Sequence, residues 1–223
     1  MNAKEQRYYG VYPAIVTDNK DPDGLGRLFV QVPWPATEGN KGVQAWARLA
    51  MFMAGAKRGA WFIPEVDDEV LVSFAGGDPS QPYVLGALWS GEAPPPESMD
   101  ASGENNLKAL VSRSGLRLTL DDTSQEESIT IETPAGQRIT LQDGATSIEI
   151  EDGGGNRIVL EPAGISVEAA AKVSIRASVV EVDAGLLSVN APVATFGGVV
   201  QAQTLIATSV VASSYTPGAG NLY

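Results

Sequence analysis

Residues 117–161 read RLTLDDTSQEESITIETPAGQRITLQDGATSIEIEDGGGNRIVLE. Apolar and polar residues alternate in pieces of four to six, which is the pattern of a strand with one face buried and one in water. Only turn residues separate the pieces. A weak repeat runs through them, GLRLTL at 115, GQRITL at 136 and GNRIVL at 155, each followed by an acidic turn and a second alternating strand. This predicts a hairpin-like unit stacked along an axis. Strands this short, with no helix to cover them, cannot close a core within one chain unless they coil on themselves or intertwine with copies of the chain.

Downstream the alternation continues through ISVEA, VSIRA, VVEVDA and LLSVNA, to about Gly198. From about Ile165 the spacing shortens to roughly seven or eight residues per strand with small Ala, Ser and Gly at the corners, which predicts a narrower cross-section. The last basic residue is Arg176 and the last acidic one Asp183, so the final 40 residues carry no charged side chain. Two readings stand. One is a thin, tightly wound β segment kept soluble by Ser, Thr, Asn and Gln. The other is a terminus that docks on another protein or is driven through a barrier where charge is costly to desolvate. The closing SSYTPGAGNLY has the look of a shaped end.

Upstream, EAPPPESMDASGENN at 92–106 reads as a linker stiffened by its prolines. Before it, residues 7–91 hold all four tryptophans, Trp34, Trp46, Trp61 and Trp89. Five candidate strands lie there: YYGVYPAIVTD, GRLFVQVPW, VQAWARLAMF, DEVLVSFAG and PYVLGALW, separated by clusters such as NKDPDGLG and GGDPSQP. They fit a small closed barrel of the OB type. MAGAKRGAWF at 53–62 reads as a short helix or a wide turn.

Fifteen basic against 27 acidic residues give a formal charge of -12, which repels phosphate backbones and anionic lipid surfaces. The chain contains neither cysteine nor histidine, excluding Ser-His-Asp, Cys-His and His-cluster metal chemistry. We therefore assign no catalytic, cofactor-binding or metal residue. The carboxylate groups Asp121 with Asp122, Glu126 with Glu127, and Glu65, Asp67, Asp68 and Glu69 read as solvated turn and strand-end charges. The N-terminus has no signal-peptide core, and no apolar run of about 18 residues is present to span a bilayer.

The run from Gly26 to Pro96, with GRLFVQVPW, WARLA, AGAKRGAWFIPEV, DEVLVSFAGGDPSQPYVLG and a closing Trp89 in order, resembles the OB-fold domain of the contractile-injection spike family. That family comprises the VgrG proteins of type VI secretion and the protein V type spikes of contractile phage baseplates. The resemblance implies an all-β chain, an N-terminal OB-fold barrel followed by an intertwined trimeric β-helix or β-prism. It divides the chain into an OB domain with a short N-terminal extension (1–91), the linker (92–106), a β-helical needle (107–198) and an uncharged tip (199–223). Gly59, Gly76 and Gly77 are expected where a side chain has no room, and Trp46, Trp61, Phe62 and Trp89 in the small barrel core. Along the needle, Leu118, Leu120, Ile129, Ile131, Ile139, Leu141, Ile148, Ile150, Ile158, Leu160, Val173, Ile175, Val180 and Val182 are expected inward, with Thr, Ser, Glu and Arg outward.

The same resemblance implies a homotrimer in the baseplate of a contractile particle, a virion or phage-like injector, made in the cytoplasm. It would touch the target membrane only transiently, without nucleic acid or cofactor. Only about ten residues precede the barrel, so the hub is expected to be a separate protein on the N-terminal side, contacted, like neighbouring subunits, by Arg27, Arg48, Lys57 and Arg58. A PAAR-type tip protein is expected at the C-terminus, on Tyr215, Pro217, Asn221, Leu222 and Tyr223. The resulting expectation is a non-enzymatic central spike. Two other functions compete with it, an OB-fold binding module for oligosaccharide or single-stranded nucleic acid and a β-helical polysaccharide-degrading enzyme.

Overall fold

A computed structural model describes residues 7–33 and 42–214. The barrel strands form where the sequence alternates most strictly. β2 (Leu28–Val32) and β6 (Glu69–Phe74) bury every second side chain, as a strand with one face in a core must. Together with β1 (Val11–Asp18), β3 (Val43–Leu49) and β7 (Pro82–Ala87) they close a barrel in the order β1-β2-β3-β7-β6. All pairings are antiparallel except β3 with β7, where Arg48 faces Tyr83 and Leu49 faces Val84. Numbering only barrel strands, the order is 1-2-3-5-4, the connectivity of an OB fold.

Small aliphatic side chains fill the barrel: Val16, Leu28, Val30, Val32, Val70, Val72 and Val84 are at most 1% exposed. Tyr8 closes one end. Its backbone N–H donates to the Gly77 carbonyl at 2.9 Å, and its ring packs against Phe74 and Tyr12 at centroid distances of 5.4 and 5.8 Å. The expected tryptophan core is not found. Trp61, Phe62 and Trp89 are 76%, 60% and 71% exposed, and Trp46 lies half-buried on the outer side against Phe29. Trp46 takes the outward phase of β3 beside the buried Ala47, and Trp61, Phe62 and Trp89 lie beyond the ends of the strands, so none of them points into the barrel. Trp34 lies outside the described residues.

The stretch 53–62 forms neither helix nor wide turn but a small hairpin, β4 (Ala54–Gly55) with β5 (Arg58–Gly59). Gly59 is required there. Its φ is +146°, and an added Cβ would lie 2.6 Å from the Met53 carbonyl oxygen.

Seven strands follow: β8 (Leu107–Val111), β9 (Arg117–Asp121), β10 (Ser128–Glu132), β11 (Arg138–Gln142), β12 (Ser147–Glu151), β13 (Arg157–Glu161) and β14 (Gly164–Glu168). They form one antiparallel sheet in sequence order. Each repeat of the sequence is one hairpin. In SRSGL, TPAGQ and DGGGN the glycine (Gly115, Gly136, Gly155) sits at φ +85° to +87°, and its N–H donates to the carbonyl three residues earlier. The first side chain of each turn, Ser112, Thr133 or Asp152, then accepts the N–H four residues on. A three-residue loop ending in a left-handed glycine is a standard connection for tight hairpins. These strands therefore find their backbone partners inside one chain, and what they lack is cover for a face.

The segment 174–214 is a separate unit. Its described residues form no strand and are all exposed. The chain bends at Ser178, Gly185 and Pro192, every seven residues, then at Gln203, Thr208 and Ser213, every five. Each of these six bends follows an alanine (Ala177, Ala184, Ala191, Ala202, Ala207 and Ala212), and a further bend at Gly197 and Gly198 separates the two series. The expected small corners and shortened period are present. The expected strands VSIRA, VVEVDA and LLSVNA are not, because no backbone hydrogen bond within the chain pairs them among the described residues.

Candidate assembly surfaces

Cross-strand register sorts the sheet's side chains into rows. One row runs Leu110, Leu118, Ile131, Ile139, Ile150, Ile158, Val167, each facing the next across a strand pair. A second runs Leu120, Ile129, Leu141, Ile148, Leu160, Ile165. Both rows lie on one face, the side expected to point inward. That face is uncovered in the single chain: Ile131, Ile139, Ile148 and Ile150 keep 38–50% of their surface in contact with solvent. An open groove of about 530 Å³ runs along the first row and ends at Val173. Covering the 38–50% of each side chain that is still exposed is worth about 1 kcal/mol, under half the value of full burial, and adds up when repeated over two rows. A contiguous apolar face of this kind marks an interaction site.

The opposite face carries threonines (Thr119, Thr130, Thr140) and a row of alternating charge: Arg117, Glu132, Arg138, Glu151, Arg157, Glu168. Arg138 lies 3.3 Å from Glu132 and 3.1 Å from Glu151, Arg117 lies 3.7 Å from Glu132, and Arg157 pairs with Glu149. The Arg157 hydrogen bond holds the Glu149 carboxyl below its ordinary range and raises the Arg157 guanidinium in turn. Exposed pairs contribute only about 0–1 kcal/mol each. Their main effect is on register, since a one-residue slip would break each Arg–Glu pair and turn the shifted strand's apolar side chains to the charged face. Sequence reading saw the repeat but not this ladder. Its signal is the fixed place of each arginine, two residues after the turn glycine.

The four cations expected at hub or subunit contacts fall into two groups. The Arg27 guanidinium reaches Asp21 at 2.7 Å and Asp23 at 2.5 Å, and lies 5.6 Å from the Trp46 ring centroid. The Asp21 carboxylate also accepts the N–H groups of Asp23, Leu25 and Arg27. The Arg27 side chain, followed by these N–H bonds, holds the Asp21 carboxyl far below its usual range. Arg27 thus locks the β1–β2 loop. Arg48 lies over the Tyr83 ring at 5.7 Å. Lys57 and Arg58, in the β4–β5 hairpin, have no anionic partner among the described residues. Both line a cleft with Leu25, Met53 and Trp61. Tyr215, Pro217, Asn221, Leu222 and Tyr223 lie outside the described residues.

Of the carboxylates weighed for chemistry, Asp121 accepts the hydroxyl and N–H of Thr123, which lower its pKa. That direction is opposite to the one a general acid requires. Asp122 pairs with Lys108, and Glu65 with Arg113 at 2.9 Å.

Residues 12–89 match the family described as the type VI secretion system/phage-baseplate injector OB domain, and residues 128–188 match the phage baseplate V C-terminal trimerisation domain. Among curated proteins the chain is similar to the type VI secretion system spike protein VgrG1b of Pseudomonas aeruginosa, 27% identical over 131 residues, 56% of this chain and 18% of that protein. It is similar to VgrG4b of the same organism, 33% identical over 132 residues, 55% of this chain and 16% of that protein. VgrG3 of Vibrio cholerae is 40% identical over 68 residues, 30% of this chain and 7% of that protein. The chain thus spans less than a fifth of the length of these relatives. The first family match takes in all five barrel strands and the second takes in β10 to β14 with their two apolar rows. Two matched domains, on a closed OB barrel and a sheet with one uncovered apolar face, place this chain in the VgrG and phage-baseplate spike family.

Proposed function

We propose that this chain is the homotrimeric central spike of a contractile particle, a phage tail, tailocin or injection system. It punctures the target envelope mechanically and carries a tip protein. The observation that carries the reading is the pair of apolar rows from β8 to β14. Three copies facing inward cover these rows, and the threonines and the charge ladder remain in water. The trimerisation-domain match over β10 to β14 of these strands and the spike proteins among the relatives support it. Segment 174–214 fits the same assembly, because extended chain with unpaired backbone satisfies its N–H and C=O groups when neighbouring copies lie alongside.

The barrels in this reading mount on a hub protein at the N-terminal side, and a PAAR-type tip seats on the uncharged C-terminal segment. The chain acts by rigidity and by its position in the baseplate, with no bond made or broken. To test it, contractile particles from cells expressing a tagged chain are purified and labelled with gold. The label is expected at the baseplate end only. Label along the sheath, or chain absent from the particles, contradicts the proposal.

A further inference from the structure

The cleft beside Lys57 and Arg58 is not used by the sheet or by the charge ladder. It has a volume of about 720 Å³ and lies between residues 24–26 and the β4–β5 hairpin, with Leu49 and Ile63 in its wall. Its apolar rim is in solvent: Leu25, Met53 and Trp61 are 72%, 53% and 76% exposed. Aromatic, methionine and arginine side chains are the ones enriched at protein interfaces. The two cations set the charge of the occupant, which must bring carboxylates beside an apolar residue.

We infer that the occupant is the Glu65–Asp68 loop of a neighbouring copy of this chain, an inference that rests on the trimeric reading above. That loop presents Val66, 44% exposed, beside the Asp67 carboxylate, while Glu65 is already paired with Arg113 and Asp68 accepts the Glu65 N–H. The Asp67 side chain has no partner among the described residues. The loop is held ready: the Asp67 N–H donates to the Val16 carbonyl at 2.8 Å, and the Glu65 N–H donates to Asp68 Oδ2 at 2.8 Å. Pre-ordering of this kind lowers the entropic cost of association.

Symmetry points the same way. A cyclic trimer needs a head-to-tail contact, in which one patch of each copy meets a different patch of the next. The barrel carries such a complementary pair, an apolar cleft with cations and an apolar loop with carboxylates. Copies of a chain with net charge -12 repel one another unless contacts of this type offset the repulsion.

The chain has no cysteine, so a disulfide reports on a single engineered contact. Arg58→Cys and Val66→Cys are placed in separate copies, co-expressed, oxidised, and run on a denaturing gel without reductant. Light scattering on the same sample gives the assembly state. The expected result is a trimer by scattering, with a covalent dimer from the mixture and none from either variant alone. Adding Lys57→Glu to the Arg58→Cys copy should suppress the link, and Asp67→Lys in the Val66→Cys copy should restore it. A trimer with no link in the mixture overturns the inference and gives the cleft to another partner, such as the hub. A monomer by scattering overturns the trimeric reading, and the ring with it.

Discussion

Asp21 shows how much of the barrel's shape rests on one carboxylate. It receives three backbone N–H groups and the Arg27 fork, which tie the β1–β2 loop to one carboxylate and set Arg27 against Trp46. Because its pKa is lowered on folding, its contribution is fully present above the unfolded value of about 3.9 and is lost as pH falls below it. All four tryptophans lie between residues 34 and 89, so tryptophan fluorescence follows the barrel alone. Asp21→Asn is expected to lower the melting temperature seen by fluorescence at pH 7, with the gap from wild type closing as pH is taken below about 4. A gap that is unchanged at low pH would count against the ionic lock. Leu28 sits at the other extreme of environment, fully buried among valines. Leu28→Ala should cost about 2–5 kcal/mol in a denaturant titration read by the same signal. Turn glycines follow a third rule, backbone geometry. Gly136→Val at φ +87° should cost about 1–2 kcal/mol, measurable as a lower midpoint by far-ultraviolet circular dichroism.

At the level of elements, the hairpin repeat turns a one-dimensional pattern into two opposed faces. Replacing Ile150, which faces Ile139 and Ile158, with Asp puts a charge in the middle of an apolar row. Assembly is expected to be lost, and sedimentation would show the chain as monomer. Thr130→Asp on the opposite face, between Thr119 and Thr140, should leave the assembly unchanged. Equal effects from both would mean that the apolar face is not the buried one. Much of this was legible in the sequence. Period-2 alternation marked the five barrel strands and every strand from β9 to β14, and the inward list matches the two rows as far as Leu160. The misplaced tryptophans have a physical cause, since residue type states how much apolar area is available but not which phase of a strand, or which stretch beyond its end, will carry it. The β4–β5 hairpin was missed because Ala and Gly carry no alternation. Of the four cations, sequence could not separate Arg27 from Lys57 and Arg58, because the partners of Arg27, Asp21 and Asp23, are recognised only once the loop is folded.

For the whole molecule, the chain pairs its backbone down to β14, leaves one face of that sheet apolar, and then continues for more than forty described residues without any internal pairing. Each feature leaves something to be completed from outside. The family match over 128–188 names the means, trimerisation. The bend spacing, seven residues and then five, adds that the final segment changes gauge near Gly197 and Gly198. In the spike reading proposed above, rigidity then depends on the copies being held together. The most direct measurement is the mass of the purified chain by light scattering at neutral pH. The account predicts three copies, about 70 kDa from chains of 23.3 kDa. A stable folded species of one chain's mass would contradict it.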